Sequence, residues 1–341
     1  MRRRGHRDIG VIGAGLSGLT AARHLIDAGH TVTLFDKGRR PGGRANTREH
    51  GSRRFDHGAQ YFTIHGDAGR AWLAELRAAG VVSEWHGRLV YIDADGESAA
   101  SVAERYVAVP GMVDLALHLA EGLDVRTGVR IAAARRHEDR WILTDSNRAG
   151  HGPFDRIVVA VPAPQAGPLL EAAPDLQARA QAVDMAPCWA TMLAFSSRLD
   201  VRFDGAFVRD GPLTWIARNS SKPGRPDEEA WVLHFGPEWT RAHWNDDGDG
   251  IAMSALAALR DLVGPVPDPE FYRAHRWGYA LASGAARDIL YDPELGIGAC
   301  GDWSAGGRVE GAMTSGLEIA RRLTDDTFER PLTYIGAEPP A

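Results

Sequence analysis

Six consecutive residues, Gly13-Ala14-Gly15-Leu16-Ser17-Gly18, carry three glycines at the spacing that lets a phosphate lie against a backbone, and Asp36 follows where a ribose would be met. Gly13 permits a tight turn, Gly15 lets a pyrophosphate approach the chain, and Gly18 lets a helix pack closely on a strand. A helix that starts there offers unpaired N–H groups and a positive dipole to phosphate, while the Asp36 carboxylate accepts bonds from ribose hydroxyls. The chemistry is dinucleotide binding, and the fingerprint by itself does not separate NAD from FAD. Gly42 and Gly43 bring the backbone of Arg44 toward the same phosphates.

Such residues need a scaffold. Asp8 to Ile12 reads as a short apolar strand, the glycine turn leads into a helix to about Ala28, Gly29 stops it, and Thr31 to Phe35 forms a second strand ending at Asp36. Gly38 to Arg54 is too polar for a core element and reads as a functional loop. Helical patterns follow at Gly69 to Ala79 and Met112 to Leu119, with strands at Trp85 to Ile92, Val125 to Ile131 and Trp141 to Leu143. Ile157 to Val161 is a continuous apolar run of the kind a buried parallel strand shows. From Ala163 to Arg287 the style changes to prolines, tryptophans and strands at Ala190–Phe195, Leu213–Ala217 and Trp231–Phe235, with a helix over Ile251–Leu262. The end returns to the first style, with a strand at Ile297–Cys300 and a helix from about Glu310 to Leu323.

This order implies a nucleotide-binding domain made of 7–65, 102–165 and 290–326, interrupted by a substrate domain of 66–101 and 166–289, with a loose tail at 327–341. The 341 residues, 44% hydrophobic and 25% charged, are ordinary globular composition and exclude disordered, collagenous and disulfide-framed chains. A net charge of -6 with scattered arginines gives no basic track for nucleic acid. Cys188 and Cys300 are the only cysteines, which excludes a four-cysteine zinc site and fits a reducing, cytoplasmic setting; no metal is expected. Met1-Arg2-Arg3-Arg4 before an apolar stretch imitates a secretory signal, but Gly10, Gly13, Gly15 and Gly18 spoil that helix, and no later run spans a membrane.

Further motifs narrow the cofactor. Asp36-Lys37-Gly38, Pro41-Gly42-Gly43-Arg44 and Cys300-Gly301-Asp302-Trp303 before Gly306-Gly307-Arg308-Val309-Glu310-Gly311-Ala312 resemble the signatures of the FAD-dependent amine oxidase superfamily. His57-Gly58-Ala59-Gln60-Tyr61-Phe62-Thr63, Arg218-Asn219-Ser220-Ser221-Lys222-Pro223, Trp231-Val232-Leu233-His234 and His275-Arg276-Trp277-Gly278-Tyr279 resemble, more narrowly, the bacterial branch of the renalase family. The likeness runs from about Ile9 to Leu323.

The resemblance implies an α/β fold of two α+β domains. A Rossmann-type FAD-binding domain would carry an inserted mixed-sheet substrate domain, as in p-hydroxybenzoate hydroxylase and the amine oxidases. It implies noncovalent FAD held by Gly13, Ala14, Gly15, Leu16, Ser17, Gly18, Asp36, Lys37, Gly43, Arg44, Gly58, Ala59, Gln60, Val129, Gly301, Asp302, Arg308, Val309, Glu310 and Ala312. Gln60, Tyr61, Asn219, His234, His275 and Trp277 would be catalytic, and Arg218, Lys222 and Tyr279 would bind substrate. His57 stands near the expected flavin edge, with either a tuning or a packing role. The implied reaction takes hydride from 2- and 6-dihydro isomers of NAD(P)H and passes it to O2. The expected partners are therefore a small-molecule dinucleotide and O2, on a monomer or dimer. The alternatives are an FAD-dependent amine oxidase or desaturase of the same superfamily, or a non-enzymatic flavin sensor; an amine oxidase would lean on one lysine near the flavin, Lys37 and Lys222 are the only two, and Lys222 would have to serve.

Overall fold

The computed structural model describes residues 5–100, 102–283 and 288–324, and the expected tail at 327–341 lies outside the described residues. Six strands form one sheet in the order Leu290–Asp292, Ile297–Ala299, Arg156–Val159, Asp8–Ile12, Thr31–Asp36, Asp124–Thr127. All neighbours run parallel except the edge pair Leu290–Asp292 with Ile297–Ala299. Both faces are covered, which explains the unbroken apolar runs. Ile9, Val11, Leu34 and Val158 pack under the helices Leu16–Asp27, Met112–Ala120 and Arg308–Thr324. Ile12, Phe35, Ile157 and Val159 face a three-stranded antiparallel sheet of Ile131–His137, Arg140–Asp145 and Gly150–Phe154.

A second sheet of seven strands has the order Phe271–Ala282, Met185–Ala194, Ala230–Phe235, Leu213–Arg218, Gly205–Val208, Leu89–Asp93, Gly96–Ala99. Its single parallel pairing, Gly205–Val208 with Leu89–Asp93, makes it mixed. One face is closed by the helix Gly248–Val263, whose first N–H groups are capped by the Asp247 carboxylate and whose Ile251, Ala255 and Leu259 pack on Leu193, Trp231 and Leu233. The other face meets the first domain: Trp215 and Ala217 share an apolar cluster with Leu16, Val309 and Met313, which lie on the two helices that start at the glycine motifs. The result is a mixed α/β fold of two domains on a Rossmann-like frame.

Local differences from the sequence reading have physical causes. The polar loop Gly38 to Arg54 contains the first strand and the turn of a hairpin, Thr47–His50 with Arg53–Asp56. Its charged residues find partners rather than solvent alone, Arg53 with Glu270 and Arg54 with Glu49. The expected strand Val125–Ile131 ends at Thr127, because Gly128 and Val129 turn to donate their N–H groups to the carbonyls of Gly38 and Asp36.

Candidate active site

The N-terminus of the first helix, Leu16–Asp27, is the clearest ligand cradle. Gly13 has φ +108, and a Cβ there would stand 2.4 Å from the Ala160 carbonyl oxygen, so only glycine makes this turn. Gly15 forms the N-cap without any side-chain cap, the first turn carries no acid, and a Cβ on Gly15 would meet nothing within 4 Å. Unpaired N–H groups thus face open space at the positive end of a helix, which is what a phosphate needs. Gly42 bridges Gly15 and donates its N–H to the Ala14 carbonyl, 2.9 Å away, placing Gly43 beside the cradle. Asp36 accepts from the Ala14 and Gly38 N–H groups at 2.7 and 2.6 Å, so its carboxylate is held at the end of the second strand with lone pairs to share. These residues fit a dinucleotide.

Other residues expected at the cofactor have partners within the protein. The Ser17 hydroxyl is buried between the first and last helices, on Cys300 Sγ at 3.1 Å and Ser315 Oγ at 2.8 Å, so its side chain does not reach a phosphate. The Glu310 carboxylate accepts from the N–H groups of His65 and Gly66 and holds the start of the helix Asp67–Ala78. Lys37 Nζ is 3.2 Å from the Gln165 side chain. Leu16 and Val309 are buried in the apolar cluster between the domains, and Ala312 packs against it. Arg44 and Asp302 form an ion pair, with Arg44 Nη1 3.0 Å from Asp302 Oδ2 and 3.0 Å from the Ala280 carbonyl of the second sheet. Gly301, just before, begins the turn that presents Asp302.

The segment Asp56–Tyr61 joins cradle and sheet. Ala59 donates to the Arg44 carbonyl at 3.0 Å, and a Cβ on Gly58 would collide with that oxygen at 1.9 Å. Asp56 is fully buried between Lys222 Nζ at 3.3 Å and Arg225 Nη2 at 2.7 Å, with bonds from the Met112 N–H and the Thr47 hydroxyl. Burial alone would raise the Asp56 carboxyl, but the two cations and these donors hold it well below the usual carboxylate range. Burial also pulls the Lys222 ammonium down, assisted by Arg225 and opposed by Asp56.

Several residues expected to meet substrate are engaged inside this network. Lys222 has three N–H donors, and all three have acceptors: Asp56, Gln60 Oε1 at 3.2 Å and Asn219 Oδ1 at 2.9 Å. Gln60 donates to the carbonyls of Asp56 and Gly58 and accepts from Lys222 and from the Trp215 indole at 3.3 Å, so it clamps the segment. Asn219 is wholly buried, bonded to the Arg54 carbonyl and the Asp56 N–H. Arg218 is 2% exposed, and its five N–H donors serve Glu229, Asp204 and the carbonyls of Phe203, Leu199 and Val201. All four side chains are buried donors and acceptors already paired within the protein.

A group of rings lies around the segment His57–Tyr61 and along the second sheet. Registered neighbours His275, Ala190, His234, Trp215, Phe207 and Tyr91 cross the second sheet in one row. His57 stacks on Trp277 at 5.2 Å and meets His275 edge-on at 4.9 Å, and the Trp277 indole donates to the His57 carbonyl at 2.8 Å. Tyr61 packs on Trp215 at 5.5 Å. Burial, with the neighbouring His275 and then Arg48, lowers His57 to about 3. Burial and Lys222 lower His234 to about 4, and burial with Arg48 and Arg273 lowers His275 to about 4. All three imidazoles are therefore neutral at pH 7. Among the described residues, His57 Nδ1 and His234 Nε2 are buried without a hydrogen-bond partner, a signal the sequence does not carry. Tyr279, farther along the same strand, packs on the cluster that holds Ile12 and Trp303.

Comparison with known proteins agrees with this geometry. A family model described as flavin containing amine oxidoreductase matches residues 82–324, and one described as NAD(P)-binding Rossmann-like domain matches 11–76. The chain belongs to the flavin-containing amine oxidoreductases. The fold of this family also appears in solved structures of a putrescine oxidase variant redesigned in cofactor binding (TM-score 0.75, 16% identity, 93% of this chain and 98% of that one) and of cyclohexylamine oxidase from Brevibacterium oxydans IH-35A (TM-score 0.74, 14% identity, 93% and 98%). Among curated proteins, phytoene dehydrogenase of Streptomyces griseus is 48% identical over 54 residues, 16% of this chain and 11% of that protein. Carotenoid 3,4-desaturase of Haloarcula japonica is 44% identical over 57 residues, 17% of this chain. The matched stretch thus spans only 11% and 12% of the length of these two relatives. Among the described residues of this flavin-containing oxidoreductase, no helix is long and apolar enough to cross a membrane.

Proposed function

We propose that this chain is an FAD-dependent oxidase of the 2- and 6-dihydro isomers of NAD(P)H, acting in the cytoplasm and returning NAD(P)+. When bound, FAD supplies a two-electron acceptor that O2 regenerates with release of hydrogen peroxide. The observation that carries the reading is the contrast between Lys222, whose three donors are all engaged, and the neutral rings of His57, His234, His275, Tyr61, Trp215 and Trp277. Hydride loss from a dihydropyridine leaves an aromatic cation and no proton to remove, so a base adds little and positioning dominates. Flat aromatic walls suit stacking of such a ring, and neutral imidazoles leave a developing cation unrepelled. The amine alternative calls for a lysine free to hold water, and Lys222 has no donor to give.

Noncovalent retention of FAD is supported by the two thiols. Cys300 is buried with Ser17 on its sulfur, and burial pushes it and Cys188 up to about 12, so neither is a thiolate at neutral pH.

Anaerobic stopped-flow absorbance tests the reading. Flavin bleaching should be fast with a borohydride-reduced NAD+ mixture of 2-, 4- and 6-dihydro isomers and slow with 4-dihydro-NADH or a polyamine, and admitted air should yield peroxide. Bleaching by the polyamine instead points to an amine oxidase, and bleaching by none of the three to a flavin-binding protein without this turnover.

A further inference from the structure

The hairpin Thr47–His50 with Arg53–Asp56 lies on one corner of the second sheet. Phe55 packs in a cluster with Met192, Ala194, Ala230, Val232 and Phe271. Arg53 reaches Glu270 at 2.6 Å, and His57 meets His275 at 4.9 Å, so residues 53–57 run alongside 270–275. His50 stacks on Phe271 at 3.9 Å, which lays the other hairpin strand over the edge strand Phe271–Ala282. Side chains alternate along a strand, so Arg48 shares the face of His50, and Arg273 shares the face of Phe271 and His275. Arg48 is the register partner of Phe55, and Arg273 is the register partner of Met192 in the same cluster. These contacts seat Arg48 and Arg273 side by side, one strand over the other, between Phe271 and His275.

Neither guanidinium is neutralised there. Among the described residues Arg48 and Arg273 make no hydrogen bond and no ion pair, and Arg48 Nε is buried without a partner. The charges that act most strongly on Arg48 are Arg273, Arg39 and Arg40, all of its own sign. The acids of this corner are engaged: Glu49 with Arg54, Glu270 with Arg53, and Asp56 between Lys222 and Arg225. Like charges packed together without a carboxylate are costly until an anion joins them. The corner adjoins the wall of rings, because His275 lies 4.4 Å from Trp277 and 4.9 Å from His57, and both guanidiniums act on its imidazole.

We propose that Arg48 and Arg273 form the subsite for a phosphate of the substrate, beside the rings that receive its uncharged head. The inference rests on the reading of that wall as the place of the substrate ring, and adds that the substrate is a phosphorylated one. His275 and Arg273 are two residues apart on one strand, about 7 Å, which one ribose between a base and its phosphate spans. The pyrophosphate of FAD has its own cradle at the uncapped helix start by Gly15. Two guanidiniums match a phosphate dianion and offer charge-assisted hydrogen bonds to its oxygens. The phosphate in turn cancels the charges beside His275, so that a cation forming on the ring meets no bare guanidinium. An amine would arrive as a third cation, and a polyene would leave both arginines unpaired.

Nicotinamide mononucleotide and nicotinamide riboside differ by the phosphate alone and are the probes, titrated into the FAD-loaded protein and followed by flavin absorbance. The mononucleotide should bind about a hundredfold more tightly, tenfold for each arginine, the scale of one hydrogen bond to a charged group. In Arg48→Gln and in Arg273→Gln that ratio should fall about tenfold. Damage to the fold weakens both ligands alike, so the ratio reads the phosphate contact itself. Equal affinities in the parent, binding of neither ligand, or variants that lose flavin while the ratio stays intact would overturn the proposal. If the ratio depends on both arginines and the dihydro isomers leave the flavin oxidised, the subsite stands and the redox reading falls. If the isomers bleach the flavin and the ratio ignores both arginines, the subsite falls and the redox reading stands.

Discussion

Arg44 grips Asp302 through two parallel hydrogen bonds, joining motifs 258 residues apart and tying the cradle to the turn before the last helix. Asp302 is nearly buried, so removing its partner strands a carboxylate. Arg44→Ala should destabilise the protein by about 1.5–3 kcal/mol, the worth of a hydrogen bond to a charged group, and should weaken FAD by about tenfold or more. Urea unfolding and flavin titration measure the two effects separately. Arg44→Lys keeps the charge and loses the paired geometry, and is expected to recover only part of either.

Two glycines three residues apart should behave oppositely. A Cβ at Gly15 meets nothing within 4 Å, so Gly15→Ala should leave the stability of the FAD-free protein within about 0.5 kcal/mol of the parent. Its methyl nevertheless stands where a pyrophosphate would approach, and flavin retention on a desalting column should fall sharply. A Cβ at Gly18 would lie 2.0 Å from the Gly13 carbonyl oxygen. Gly18→Ala should therefore lower the melting temperature with or without FAD, and equal behaviour of the two variants would contradict this division.

The buried ion cluster makes a stability prediction. Asp56→Asn leaves Lys222 and Arg225 in the interior without their carboxylate, and breaking a buried pair in this way costs about 3–5 kcal/mol. The Asp56 carboxyl is held below its unfolded value of about 3.9, so the unfolded chain takes up its proton first. Its contribution is complete above about pH 4 and is lost as pH falls further. Between pH 7 and pH 3.5 the parent should lose only about 0.7 kcal/mol more than Asp56→Asn, and the gap should widen by about 1.4 kcal/mol per pH unit below that, as read from urea unfolding.

What was legible in the sequence follows contact range. Gly13 to Gly18 and Asp36 form one local unit, strand, turn, helix and strand, and the periodicities place every piece. Asp56, Lys222 and Arg225 were opaque because the partners are 166 and 169 residues apart and each looks like a surface charge in its own neighbourhood. The hairpin that ends in Asp56 was hidden by Arg48, Glu49, His50, Arg53 and Arg54, whose charges mask any alternation. The strand Phe271–Ala282 lacks a clean polar and apolar alternation for a related reason: it borders the sheet, and its His275 and Trp277 serve the ring wall rather than a core. The resemblance picks out strings there without separating them from residues such as Arg218 and Gln60, whose polar atoms are paired with the backbone.

The histidines provide the most discriminating test, since their charge state bears on both stability and chemistry. His57 is lowered to about 3 and His234 and His275 to about 4, chiefly by burial, against about 6.5 in an unfolded chain. Between pH 6.5 and 4 the unfolded state binds protons that the folded state refuses, so the stability present above pH 6.5 is lost as pH falls through that window. For the well-buried His57 the slope approaches about 1.4 kcal/mol per pH unit, and His57→Phe should flatten the thermal stability profile in that range. The same neutrality predicts that the flavin-reduction rate with dihydro-NAD isomers is level from pH 5 to 8. An inflection near 6.5 that vanishes in His57→Phe or His275→Phe would mean that an imidazolium forms beside the substrate. The ring wall would then carry a charge that repels the developing pyridinium, and a mechanism of positioning alone would no longer account for the site.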